Sequence, residues 1–227
     1  MMKDIRLVLS DYDRTFTDAT LRVEPGLVDA ILRLKRKGTL FSIVSGRKYD
    51  FMYDLYQNLE GVVDSFIAEN GCVGFANGSK HWIACADGRE EMLARLGSLG
   101  VPFDAGDVVV SVHRDYEREV DQILAPLPQM HVVKNVDSLM ILPAGVSKAT
   151  GIRWLMGVYG LTTRQMACIG DAENDLEMRG LCTLMGAVCN ALPAVKRESD
   201  YICKHDFGFG LKEFLEYIEA RRIKNIE

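Results

Sequence analysis

The chain has 227 residues, enough for one large domain or two small ones around a proper hydrophobic core. Nearly half of it is apolar (48%) and about a quarter charged (26%), ordinary for a soluble protein, with a net charge of −5 and both signs interspersed. That balance argues against a nucleic-acid-binding protein, which would carry a basic patch or stripe, and against a polybasic membrane anchor.

The first predicted strand, Ile5–Ser10, ends abruptly in Asp11-Tyr12-Asp13-Arg14-Thr15. On an extended backbone Asp11 and Asp13, two apart, leave the same face. Two like charges that close raise each other's proton affinity or demand a counter-charge. This is the local chemistry of a magnesium site, of a nucleophile beside an acid, or of both; a merely polar strand end is the plainer alternative. A helix follows over Glu24–Lys37, with apolar residues at Leu27, Val28, Ile31, Leu32 and Leu34 and Gly38 as its stop. Leu40–Val44 reads as a second strand ending in Ser45-Gly46-Arg47, Asp50–Leu59 as a helix, and Ser65–Ala68 as a third strand ending in Glu69-Asn70-Gly71. Ser45, Gly46 and Thr15 could hold an anion through backbone N–H groups and hydroxyls, or simply cap the following turns.

The middle reads differently. After Asn77-Gly78 come a strand (His81–Ala84), a helix (Glu90–Leu99), a strand (Val108–His113), a helix (Tyr116–Leu124) and two strands (His131–Lys134 and Ser138–Leu142). The expectation is an inserted α+β unit over residues 80–144, with residues 1–79 and 145–227 forming the core. The α/β pattern then resumes with a helix (Ser147–Val158), a strand (Met166–Ile169) ending in Gly170-Asp171, a short strand (Thr183–Val188) and a last helix over Leu211–Ile223. Continuous apolar strands separated by helices predict a doubly wound, Rossmann-like parallel sheet. Ligands bind such sheets beyond the carboxyl ends of the strands, where Asp11, Asp13, Ser45 and Asp171 all fall. Asp171 would suit a magnesium ion there, and Asp175 could add a direct, water-mediated or supporting contact. Acids in a first helical turn are the plainer reading of that segment. Lys148 could pair with a phosphate or with Asp11.

Six scattered cysteines (Cys72, Cys85, Cys168, Cys182, Cys189, Cys203) form no C-x-x-C pair, so buried free thiols are expected. No apolar run approaches a membrane span and no signal-peptide core follows the start, so a cytoplasmic location is expected.

In order, Asp11-Tyr12-Asp13-Arg14-Thr15, Ser45-Gly46-Arg47, Lys148 and Gly170-Asp171-Ala172-Glu173-Asn174-Asp175 resemble the four motifs of the haloacid dehalogenase-like phosphatases. Glu69-Asn70-Gly71 and Gly145-Val146-Ser147-Lys148 resemble the Cof-type branch, whose cap is inserted between the second and third motifs. Within it, the short cap and overall length are most similar to archaeal phosphoglycolate phosphatases, with sucrose-phosphate and mannosyl-phosphoglycerate phosphatases nearby. The resemblance implies a Mg²⁺-dependent phosphomonoesterase with Asp11 as nucleophile and Asp13 as general acid and base. It implies Mg²⁺ on Asp11, the Asp13 carbonyl and Asp171, with Asp175 at or behind the metal. Ser45, the Gly46 backbone and Lys148 would hold the phosphoryl oxygens, Thr15 would orient the acid, and Asn174 would tie the fourth motif to the site. The expected partner is a small phosphate ester, with no nucleic acid and no membrane. Position 14 is most often glycine in that family; Arg14 departs from it. A phosphomutase and a receiver-like phospho-aspartate signalling domain are the rival readings, and receivers are about half this length and lack the cap. His113, Arg114 and Lys134 are candidate cap contacts for an anionic substrate's second group.

Overall fold

The computed structural model describes residues 5–85, 87–135 and 137–223. Strand β1 (Leu7–Asp11) leads through helix α1 (Leu27–Arg36) to β2 (Leu40–Val44), then through α2 (Tyr49–Asn58) to β3 (Ser65–Ala68). Every residue of β1 and β3 is buried, as in a parallel strand covered on both faces. Helix α1 turns Leu27, Ala30, Ile31 and Leu34 inward, an apolar stripe of helical period. Two antiparallel strands, β4 (Val73–Ala76) and β5 (Ser79–Trp82), follow β3 in the same sheet.

The smaller unit runs through α3 (Arg89–Ser98), β6 (Phe103–Ala105), β7 (Val110–His113), α4 (Glu117–Leu124), β8 (Met130–Asn135) and β9 (Ser138–Pro143). Its four strands form a separate antiparallel sheet in the order β6-β7-β9-β8. Strand alternation gives β9 two duties. Leu139 and Ile141 join Met92, Leu96, Val120 and Ile123 in a small core, whereas Met140 and Leu142 belong to the main one.

The chain returns through α5 (Lys148–Tyr159), β10 (Met166–Gly170), β11 (Leu184–Ala187), α6 (Pro193–Glu198), β12 (Tyr201–Ile202) and α7 (Phe207–Ile223). The large sheet has the order β12-β11-β10-β1-β2-β3-β4-β5. From β1 the chain builds outward through β2 and β3 on one side and through β10 to β12 on the other. The strand order therefore reverses between β1 and β10, the place where such sheets open a crevice. Register aligns the ends there: Asp11 lies opposite Val44 of β2, and Ser10 opposite Ile169 of β10.

The fold class matches the expectation: a doubly wound parallel core and an inserted α+β unit. The strand expected at His81–Ala84 differs. It lies at Ser79–Trp82 and pairs with β4 in the large sheet, not with the smaller one. Asn77 and Gly78, both left-handed (φ 52° and 77°), form a two-residue hairpin turn that folds β5 back onto β4. Among the cysteines, Cys72, Cys168, Cys182 and Cys203 are buried as expected, while Cys85 is exposed. Among the described residues no helix is long and apolar enough to cross a membrane.

Candidate active site

Four strand ends meet at the crevice, carrying Asp11 (β1), Ser45 after β2, Glu69 after β3 and Asp171 after β10. Strand β1 stops at Asp11, and the chain then turns tightly over Tyr12–Phe16 with Arg14 left-handed (φ 62°). The alternation that would carry Asp11 and Asp13 to one face ends there. Asp11 is buried beneath the crevice, whereas the Asp13 side chain is about one-third exposed and engages different partners.

Lys148, the first residue of α5, lies at the centre of the buried charge. Its Nζ donates to Asp11 Oδ1 (2.5 Å) and to Asp175 Oδ1 (2.7 Å). Asp175 Oδ2 accepts the backbone N–H groups of Asp171 (2.9 Å) and Ala172 (3.0 Å). Gly170 makes that fold-back possible, since a Cβ there would stand 2.4 Å from the Asp175 carboxyl carbon. Burial opposes charge on Lys148, but the two adjacent carboxylates outweigh it and hold the ammonium above its ordinary pKa. Burial pushes Asp11 well up, reinforced by Asp175 and Asp171 and opposed by Lys148. Burial, then Asp175, raises Asp171 to about 7, against the pull of Lys148 and Arg14.

Asp11, Asp171 and Asp175 bring one carboxylate oxygen each to within 4.8 Å of one another. Asp11 Oδ2 is buried and has no hydrogen-bond partner among the described residues. Leaving a buried acceptor unmatched costs about 1–3 kcal/mol, so such an atom in a well-packed site asks for an occupant. An all-oxygen, multiply anionic donor set fits a hard divalent cation. The Asp13 carboxylate stands outside this set, held by Arg47 through Nε (3.1 Å to each oxygen) and Nη2 (2.6 Å to Oδ1).

The other anticipated residues divide in two. Asp11, Asp13, Gly46, Asp171 and Asn174 line a cavity of about 750 Å³ at the crevice. Thr15, Ser45, Lys148 and Asp175 are buried just behind it. The Thr15 hydroxyl donates to Asp171 Oδ1 (3.5 Å), so its partner is the fourth-motif acid and not Asp13. Ser45 Oγ accepts the Arg47 N–H (3.0 Å), which ties the second-motif loop to itself. Asn174 donates to Asn70 Oδ1 (3.5 Å).

The smaller sheet supplies the cavity roof through Asp104, Ser111, Ser138 and Met140. Asp104 and Met140 both lie opposite Ser111 in neighbouring strands, so the three share a face. His113, Arg114 and Lys134 do not line the cavity; Lys134 pairs with Glu117, and His113 Nδ1 lies 3.2 Å from Asp115. Lys48, after the second motif, reaches across to pair with Asp104.

Glu69 is the main site-adjacent residue to which the sequence gives no role. Buried and left-handed (φ 52°), it accepts the backbone N–H groups of Asp107 (2.9 Å), Val108 (2.8 Å) and Val109 (2.9 Å). It thereby fastens the β6–β7 connection to the core. Its neighbour Asn70 donates to Met140 Sδ (2.8 Å). A buried acid at a strand end within a motif is the signal that could have found it.

The profile of the haloacid dehalogenase-like hydrolases matches residues 8–84 and 104–215. A phosphoglycolate phosphatase of Sulfurisphaera tokodaii is 28% identical over 222 residues, covering 93% of each chain. One of Pyrobaculum neutrophilum is 30% identical over 227 residues, covering 94% of this chain and 95% of that one. Among solved structures, a Thermoplasma acidophilum protein superposes with a TM-score of 0.83 at 22% identity, covering 95% of this chain and 99% of its own. A sugar phosphatase of haloacid dehalogenase subclass IIB superposes with a TM-score of 0.76 at 17% identity, covering 94% and 99%.

Proposed function

The chain belongs to the haloacid dehalogenase-like hydrolase family and is a phosphoric monoester hydrolase, and we propose that it works through an aspartyl-phosphate on Asp11 with Mg²⁺ as cofactor. The observation that carries this reading is Asp11 itself: Oδ1 is fixed by Lys148, while Oδ2 is buried at the cavity without a partner among the described residues.

Asp11 attacks the phosphorus, an Asp11–phosphorus bond forms, and the phosphorus–ester oxygen bond breaks. Asp13, at the cavity wall, gives its proton to the departing alkoxide. It then takes a proton from the water that attacks the phospho-aspartate, and inorganic phosphate leaves as the Asp11 carboxylate re-forms. Asp11, the Asp13 carbonyl and Asp171, with Asp175 at or behind the metal, would hold Mg²⁺, which would supply the positive charge that offsets repulsion between the phosphoryl group and the nucleophile. Lys148 supplies fixed positive charge from beneath, Gly46 offers its backbone to the phosphoryl oxygens, and Thr15 and Asn174 hold Asp171 and the fourth-motif loop in place. The smaller unit, from α3 to β9, acts as the cap that closes the site and selects the substrate.

The proposed substrate is phosphoglycolate, supported by the relatives of that name at 28–30% identity. A sugar phosphate is the second reading, favoured by Ser111 and Ser138, hydroxyls that the smaller sheet turns to the cavity. The test is phosphate release from p-nitrophenyl phosphate, phosphoglycolate and hexose phosphates with Mg²⁺. Steady release that Asp11→Asn abolishes is expected, with phosphoglycolate the best of the panel. Absence of turnover on every ester overturns the reading, and a sugar-bisphosphate requirement with little free phosphate points to a mutase.

A further inference from the structure

Arg14 has no part in the chemistry above, yet the surrounding chain holds it in a defined place. Its left-handed backbone (φ 62°) favours glycine. Asn190 fixes that conformation, donating Nδ2 to the Arg14 carbonyl (2.9 Å) while its Oδ1 accepts the Phe207 N–H (2.7 Å). The Arg14 side chain then passes over the Phe207 ring, Cζ 6.0 Å from the centroid, and sets Nε 3.4 Å from Asp171 Oδ2.

The cations of the acidic cluster thus fall into two kinds. Lys148, 1% exposed, is locked between Asp11 and Asp175. Arg14 is 47% exposed, lines the cavity, and meets Asp171 at a distance longer than a strong charge-assisted hydrogen bond. One end of this pair is buried and fixed; the other is a long side chain with open space beside it. The cluster sets three carboxyl groups against one fixed lysine, an acidic oxygen donor set that suits a divalent cation. Arg14 brings a second positive charge up to Asp171, one of the three members of that donor set.

We infer that Arg14 is a displaceable internal counter-ion of Asp171, competing with the divalent cation for that carboxylate and so weakening metal binding at the site. The inference rests on the metal reading above, with Asp171 as a ligand. Displaced, the guanidinium remains over Phe207 at the cavity wall.

The test is calorimetric titration of the metal-free full chain with MgCl₂, which reads binding without turnover. Arg14→Gly and Arg14→Gln should each bind Mg²⁺ about three- to tenfold more tightly than wild type, and Arg14→Lys should stay near it. A structural role for Arg14 would move affinity the other way. Unchanged or weaker binding in both Gly and Gln variants overturns the inference; tightening in the Gly variant alone does too, because it would reflect backbone relief. Asp171→Asn serves as the control and should abolish the heat. If that variant still binds as wild type does, the metal reading itself fails, and the inference with it.

Discussion

Arg47 grips the carboxylate of Asp13 from the side, with Nε 3.1 Å from each oxygen and Nη2 2.6 Å from Oδ1, and its own Cζ lies 5.1 Å from the Phe51 ring centroid. The second-motif loop thus sets the orientation of the acid proposed to move protons for the first-motif nucleophile. A lysine keeps the charge but cannot make this two-atom contact or stack in the same way. Arg47→Lys should lower kcat about tenfold, worth about 1.4 kcal/mol, with a smaller change in KM. Steady-state kinetics on the best ester decides it: a change confined to KM would make Arg47 a substrate contact and not an orienting one.

Lys148 binds two buried carboxylates with 1% of its side chain exposed. Lys148→Met preserves much of the volume and removes the charge, leaving Asp11 and Asp175 without their shared cation. Breaking a buried pair by removing one partner costs about 3–5 kcal/mol. Denaturant unfolding in EDTA should show a loss of that order, together with loss of turnover. Mg²⁺ should stabilise the variant more than the wild type, because the metal then provides the missing positive charge. A loss below about 1 kcal/mol would mean that the buried cluster does not depend on the ammonium for its stability.

Glu69 joins the core to the smaller unit through three main-chain N–H groups of residues 107–109, and it accepts a fourth, longer bond from Tyr49 N–H (3.4 Å). Glu69→Gln keeps the shape but turns an NH₂ group toward these donors. The expected cost is about 1–3 kcal/mol. Hydrogen exchange should localise it, with the amides of 107–109 losing protection ahead of those of β1 and β10. Uniform exchange across all of these segments would argue that Glu69 merely supports the core.

How far the sequence could be read depended on the kind of signal. Leu40–Val44 and Ser65–Ala68 are legible to the residue because continuous apolar runs between helices have few other uses. The acids at the ends of β1 and β10 are legible because carboxylates do not follow buried strands without a reason. Strand β4 is not: Val73-Gly74-Phe75-Ala76 is four residues long, and the Asn77-Gly78 after it reads equally as a boundary and as a hairpin turn. Strand β12, with two residues, is below the reach of any periodicity. Within the site the sequence offers the motif residues and, for Lys148, its partner Asp11, but not the other partners. Thr15 and Arg14 both find their partner in Asp171, 156 and 157 positions further along the chain. Local pattern carries no record of such distances.

The raised pKa of Asp171 predicts how metal-free stability depends on pH. Burial and the neighbouring Asp175 bring it from the ordinary 3.8 to about 7, so between those values the folded state binds a proton that the unfolded chain has released. Stability rises with pH only where the unfolded state holds more protons, so here the sign is reversed. This contribution is fully present below about pH 4, falls as pH rises, and is gone once pH passes about 7. Other carboxylates titrate over the same acid range, so the useful quantity is the difference from Asp171→Asn, which cannot ionise. In EDTA, the melting temperature of the wild type should drop relative to that variant by about several degrees between pH 5 and 8. Asp11, also pushed up by burial, is present in both proteins and largely cancels. With Mg²⁺ added, the cation takes the place of the proton on Asp171, and the wild type should instead gain on the variant as pH rises. Parallel melting curves in EDTA across that range would mean that Arg14 and Lys148 keep Asp171 ionised throughout, which places the cost of burying the acid on its ion pairs rather than on a proton.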